Sequence, residues 1–143
     1  MRKTIGLIEQ QPAVFIGTVR QNLLLANPIA SDAELIRALQ RVSLWQTLEA
    51  RNGLDTFVGE QGSLISGGEA ARLAMARALL AEFQVLILDE PTANLDENTG
   101  RQTLIELMSV AKDQDLAVIL ISHDETLTEL TTSEVVVQKK RFA

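Results

Sequence analysis

Asp89 and Glu90 follow directly on the apolar run Val85-Leu86-Ile87-Leu88. Such a run makes a strand, and in an open parallel sheet ligands bind beyond the carboxyl ends of the strands. An Asp at that place can hold Mg²⁺, directly or through water, and the next carboxylate can position a water for attack on a phosphoryl group. Two solvated acids at a strand end read the same way, so the pair alone leaves both readings open. Ser66-Gly67-Gly68-Glu69 is a second phosphate-compatible feature, because glycines let the backbone approach and free amides at a helix start favour an anion. A Gly-rich turn closed by a helix cap has the same letters. His123, the single histidine, stands after another apolar run in Ile121-Ser122-His123-Asp124, where an imidazole can bond to phosphate. Gln10 holds the matching place after a first run, Thr4 to Glu9, either as a turn residue or as a further polar group at the same edge.

The elements that must carry these residues follow from period and caps. Thr4 to Glu9 alternates as a strand and Gln10-Gln11-Pro12 ends it. Ser31-Asp32-Ala33-Glu34 is a capping box that opens a helix to about Val42, with Leu35, Leu39 and Val42 as its apolar stripe. Residues 51–64, with Gly53, Gly59 and Gly62, read as loop. Ser66 to Glu69 is a second capping box, opening a helix to about Ala81 that buries Leu73, Ala76 and Leu80. The runs Gln84 to Asp89 and Leu116 to Ile121 are nearly continuous in apolar residues, which predicts strands covered on both faces. Between them Leu104, Leu107, Met108 and Ala111 set a crossover helix from about Glu97 to Lys112. The result is a βαβ unit in an α/β fold, and Glu134 to Gln138 predicts one more strand.

Composition narrows the function. The chain has 143 residues, 46% of them hydrophobic, which is one domain's worth of core. With 13 basic and 19 acidic side chains its net charge is −6, which argues against a nucleic-acid partner because phosphate neutralisation needs clustered Lys and Arg. The absence of cysteine excludes a disulfide framework, an iron–sulfur cluster and a thiol nucleophile, and suits a reducing, cytosolic setting. No apolar run approaches the ~18 residues of a spanning helix. A membrane role would therefore run through a partner.

Taken in order, Gln10-Gln11-Pro12, Leu64 to Glu69, Val85 to Thr92, Ala93-Asn94-Leu95-Asp96 and Ile121 to Asp124 resemble the nucleotide-binding domain of ABC transporters. They are similar to its Q-loop, signature motif, Walker B strand with catalytic acid, D-loop and switch histidine. The resemblance implies a partial P-loop NTPase (RecA-like) parallel sheet with an inserted α-helical signature subdomain. It divides residues 1–143 into a helical part, 18–81, and an α/β core portion, 1–17 and 82–143. It implies ATP and Mg²⁺ as cofactors, Asp89 and Gln10 as the Mg²⁺ contacts, Glu90 as the general base, and His123 as the γ-phosphate contact, with Gln10 also reaching the attacking water. Ser66, Gly67, Gly68 and Glu69 would meet the ATP held by an opposite subunit, and Asp96 would lie at that interface. A second nucleotide-binding domain and a transmembrane domain are the implied partners, which would place the chain on the cytoplasmic face of the membrane.

Phe15 to Val19 with Asn22-Leu23, and Thr56 to Gly62, resemble exporter sequences, in which Glu60 would face the transmembrane domain's coupling helices. More narrowly, Asn22 to Pro28, Ser31-Asp32 and a signature ending in Glu69 are similar to the CydC half of CydDC exporters, a family that moves glutathione and cysteine outward. The chain departs from the wider family in lacking GxxxxGK[ST] and any tyrosine to stack on adenine. It therefore resembles the second half of such a domain. It is expected to be inactive alone, or to act as a silent module lending its signature motif to a partner's ATP site. A sheet so shortened is expected to leave an apolar face for other strands to cover. Glu69 stands where glutamine is more frequent, adding negative charge near phosphate.

Overall fold

A computed structural model describes residues 5–131. Strand β1 (Ile5–Ile8) lies beside β2 (Val85–Asp89), which lies beside β3 (Ala117–Ile121), and both pairings are parallel. Ile8 is level with Leu88 and Leu88 with Leu120, so one row of side chains crosses all three strands. Between β1 and β2 the chain runs through α1 (Val19–Leu24), α2 (Asp32–Arg41), α3 (Trp45–Glu49) and α4 (Gly67–Ala81). Helix α5 (Glu97–Asp113) makes the crossover from β2 to β3. The strand predicted at Glu134 to Gln138 lies outside the described residues.

Local chemistry explains the helix starts. Ser31 and Ser66 each accept the amide of the residue three positions on, Glu34 and Glu69, whose carboxylates accept the serine amide in return. This reciprocal box satisfies two amides that a helix start otherwise leaves without partners. Thr18 and Gln21 do the same for α1, a helix start that was not among those expected although its T-x-x-Q pattern stands in the sequence. Behind it, Asn22 is fully buried and its amide exchanges two 2.9 Å bonds with the backbone of Phe15. The stretch expected as plain loop contains two short 3-10 turns, Gly53–Asp55 and Glu60–Gly62, and an antiparallel bridge from Phe57 to Thr18.

The core is continuous from the helices to the sheet. Leu35, Leu39 and Val42 of the expected stripe are fully buried. Helix α4 is buried on more than one side, since Ala71, Ala74, Met75, Ala78 and Leu79 join the expected Leu73 and Ala76, whereas the expected Leu80 is only partly buried. Leu86 and Leu88 of β2 enter the same core as Leu104 and Leu107 of α5, each burial contributing about 1.5–3 kcal/mol.

The strands are not covered on both faces, as their apolar runs predicted. Leu86, Leu88 and Ile8 point into the core, whereas Ile5, Leu7, Ile119 and Ile121 of the opposite face remain between 49% and 59% exposed. A continuous apolar run records that both faces of a strand want cover; only the fold decides whether the chain supplies it. The expected apolar open face is present.

Candidate functional site

Because the three strands are parallel and adjacent, their carboxyl ends emerge along one edge. Gln10 follows β1 there, Asp89 closes β2 opposite Ile121, and Ser122-His123 follow β3. Asp89 shares the open face with Val85 and Ile87, since side chains alternate along a strand. Glu90 continues the ladder by donating its N–H to the Ile121 carbonyl at 2.9 Å, then turns into the left-handed region with φ 47°. Its Oε1 accepts the His123 amide at 2.9 Å, and the His123 Nε2 lies 3.7 Å from the same oxygen while the ring stands in solvent. A carboxylate aimed by one backbone amide beside a free imidazole can take a proton from a water on the open side.

Among the described residues no three His, Cys, Asp or Glu side chains gather to hold a metal by themselves. Asp89 offers a carboxylate and Gln10 an amide oxygen. Both are the hard donors that Mg²⁺ takes, and Mg²⁺ usually completes its shell with water and substrate phosphates rather than with a protein cage. The donor set therefore fits Mg²⁺ carried by a nucleotide.

The second feature is the start of α4. Ser66 and Gly67 are exposed, and Glu69 is buried. Burial, the largest single influence, pushes the Glu69 carboxyl up, but the bonds to Ser66 and the charge and bond of Arg51 together pull it down further, so that it titrates below its usual range. Arg51 Nη2 stands 3.0 Å from Glu69 Oε2. The two form an ion pair at the start of α4. The two glycines have a packing role as well. A Cβ on Gly68 would come within 2.9 Å of the Leu95 side chain and 3.2 Å of the Asn94 carbonyl, and one on Gly67 within 3.3 Å of Asn94 Cβ.

The turn that follows Glu90 thus touches both features. Asn94 packs on Gly67 and donates its Nδ2 to the Gln10 carbonyl at 3.1 Å. Asp96 caps α5 by accepting the Thr99 amide at 3.0 Å, and the Thr99 bonds hold its carboxyl below the usual range. Asp124 caps the 3-10 turn Glu125–Leu130 in the same way through Thr126, with the same effect on its carboxyl. Gln10, Asp89, Glu90 and His123 share the strand edge, and Asn94 links Gln10 to the glycines. Among the described residues no hydrogen bond or ion pair joins Ser66 or Glu69 to Asp89, Glu90 or His123. The two groups of expected site residues therefore meet only through the turn that carries Asn94.

Sequence reasoning missed three groups that bear on these patches. Arg51 sits in a glycine-bordered loop with no pattern of its own; the signal was the carboxylate at position 69, which once buried calls for a cation. Asn94 stands within the stretch similar to a D-loop but was given no role of its own. Arg77 lies over the ring of Phe15, 5.6 Å from its centroid, beside a cavity of about 430 Å³ lined also by Pro12, Leu25, Ala74 and Phe83. Its Nη1 is buried without an acceptor among the described residues, and burial lowers its pKa.

Comparison with known proteins agrees with this geometry. The family model described as ABC transporter matches residues 1–93. The glutathione/L-cysteine transport system ATP-binding/permease protein CydC of Escherichia coli K12 is 42% identical over 123 residues, covering 86% of this chain and 21% of that protein. The mitochondrial iron-sulfur clusters transporter ATM1 of Candida albicans is 38% identical over 124 residues, covering 86% and 16%. A bacterial Atm1-family ABC exporter solved with ATP bound superposes with a TM-score of 0.77 at 29% identity, covering 87% of this chain and 22% of that one. The chain spans about a fifth of the length of these relatives.

Proposed function

The chain belongs to the ABC transporter family, and from that premise we propose that it is the part of an exporter's ATP-hydrolysing domain that supplies the catalytic acid on one surface and the signature motif on another. The observations that carry this reading are the residues gathered at the strand edge and the exposed start of α4. Gln10, Asp89, Glu90 and His123 lie along one strand edge, and the capped N-terminus of α4 faces outward with Ser66 and Gly67 exposed. Two such patches suit a head-to-tail pair of domains, each completing the other's ATP site.

At the strand edge Asp89 and Gln10 would hold Mg²⁺, which when bound neutralises charge on the phosphate oxygens. Glu90 would take the proton of the attacking water, with its carboxylate aimed by the His123 amide. The exposed His123 ring would contact the γ-phosphate. On the other surface Ser66 would offer its hydroxyl, and Gly67 and Gly68 their backbone amides, to the γ-phosphate of ATP held by the opposite domain, and Asp96 would lie at that junction. GxxxxGK[ST] does not occur in these 143 residues, so the phosphate cradle must come from other sequence, and without it these residues would be inactive.

A transmembrane domain is the second proposed partner, meeting the exposed Glu60 and the cavity beside Phe15 and Arg77 and holding the chain at the cytoplasmic face of a membrane. No helix among the described residues is long and apolar enough to cross a membrane itself. The likeness to CydC at Asn22 to Pro28 and at the signature supports a thiol cargo, glutathione or cysteine. The silent-module reading keeps one supporting observation, the absence of that loop. It predicts a chain that stimulates a partner's ATPase while its own Glu90 is dispensable.

The deciding experiment measures Mg-ATP hydrolysis in a dimer of complete domains, one carrying this sequence. Glu90→Gln should lower turnover on its own site by about 10²–10⁴ while ATP binding persists. Unchanged hydrolysis there would remove Glu90 as the base and leave the silent module standing.

A further inference from the structure

Glu69 presents a physical difficulty that the fold resolves at one residue. Its carboxylate is buried in the first turn of α4, bonded to the Ser66 amide in the same turn as the amides of Gly67 and Gly68. Oε1 is used by the Ser66 amide at 2.9 Å. Oε2 is inaccessible to water, and among the described residues the cation that pairs with it is Arg51 at 3.0 Å. A neutral amide side chain would keep the capping bond without a counter-ion. A buried carboxylate without one is strongly unfavourable, and its negative charge would offset the positive end of the helix dipole. The other cation nearby is committed elsewhere: Arg72 gives Nη1 to the Ser43 carbonyl at 2.7 Å and Nε to the Gly68 carbonyl at 3.4 Å.

We propose that Arg51 is a positioning residue for the signature surface: by cancelling the charge of Glu69 it keeps the N-terminus of α4 attractive to the terminal phosphate of a nucleotide held by the opposite domain. Arg51 reaches this place from the turn after α3, where its amide donates to the Leu48 carbonyl at 2.9 Å. The ion pair therefore also ties that turn to the first turn of α4. This inference rests on the reading that the start of α4 meets phosphate, and it assigns a role to a side chain outside the motif.

The test is a double-mutant cycle in the assembled dimer of complete domains, with Mg-ATP as the probe and KM and kcat read separately. Arg51→Met should raise KM for ATP at the opposite domain's site by about tenfold, equivalent to about 1.4 kcal/mol, with kcat changed by less than about twofold. Made on top of Glu69→Gln, the same replacement should change KM by less than about twofold, and Arg51→Lys should restore most of the affinity. A merely structural Arg51 would cost the same in both backgrounds, and that result would overturn the proposal, as would a normal KM in Arg51→Met. If melting shows that Arg51→Met does not fold, Arg51→Gln carries the same comparison. Ser66→Ala separates the two failures. No effect of Ser66→Ala would overturn the phosphate-facing reading and this proposal with it. An effect of Ser66→Ala with none of Arg51→Met would overturn the role of Arg51 alone.

Discussion

Glu90 holds a left-handed backbone, φ 47°, and that conformation sets a stability order opposite to the usual one. For a residue with a Cβ the left-handed region costs about 1–2 kcal/mol; glycine escapes that cost but loses about 0.4–1 kcal/mol through its greater freedom in the unfolded chain. Replacing Glu90 by Ala keeps the strain and removes the acceptor of the His123 amide. Because that amide lies at an exposed edge, water takes over and the loss is near the low end of about 0.5–1.5 kcal/mol. Replacing Glu90 by Gly removes the same acceptor and the strain together. Glu90→Gly should therefore be more stable than Glu90→Ala by roughly 0.5–1 kcal/mol, and close to the parent chain. With a urea slope of about 1–3 kcal/mol/M, the midpoints of the two variants should differ by roughly 0.2–1 M. Equilibrium urea unfolding followed by circular dichroism reads this directly. Glu90→Ala matching or exceeding Glu90→Gly would mean that the carboxylate is not held in the left-handed turn, and the aim of Glu90 toward His123 would fall with it. Both variants lack the proposed base, so a stable Glu90→Gly without turnover would show strain tolerated for function.

Further outcomes are open to the same measurements. Glu69 titrates lower in the folded chain than in the unfolded one, so the stability it contributes is complete above the usual carboxylate range, about 4.3, and is lost as pH falls through its lower folded value. Glu69→Gln should flatten that part of the acid limb in urea midpoints taken from neutral to acid pH, and an unaltered limb would count against the Arg51 and Ser66 contacts. Gly68→Ala should destabilise by about 1–3 kcal/mol, because the Asn94 carbonyl, being backbone, cannot swing away from the added carbon; an unchanged melting temperature would refute that packing. Ser66→Ala removes the cap of α4 and should cost about 1 kcal/mol, read as a lower thermal midpoint. The open sheet face should make the isolated chain associate: Ile119→Lys, at a side chain about half exposed, should shift it toward monomer in size-exclusion chromatography and leave melting almost unaltered. Unchanged association would place the contact elsewhere.

Much of the framework was legible in the letters. The two serine capping boxes mark α2 and α4 at the residues where those helices start, because the Ser and Glu three apart satisfy each other's amides locally. The apolar runs ending in Asp89 and Ile121 mark β2 and β3, and the periodic leucines between them mark α5. Helix α1, which was not expected, carries the same kind of signal in Thr18 and Gln21. Helix α3 has no side-chain cap and only five residues, so little local pattern announces it; Leu48, buried against the core, holds it there. The expectation of two-sided burial for the strands failed because periodicity reports what a strand can bury, and cover depends on what is folded against it.

What the sequence by itself determined is the set of chemical groups and their local settings: carboxylates at a strand end, a capped glycine helix start, one histidine after a strand, and a net charge of −6. These follow from interactions between residues a few positions apart, which chain order encodes. The parallel order of the sheet brought Gln10, Asp89, Glu90 and His123 to one edge. The chain's return past Asn94 set that turn against Gly67 and Gln10, and the placement of the loop after α3 gave Glu69 its cation. Contacts such as Arg51 with Glu69, or Asn94 with Gln10, join residues far apart in sequence. They exist only because a shared core of leucines fixes the elements that bear them.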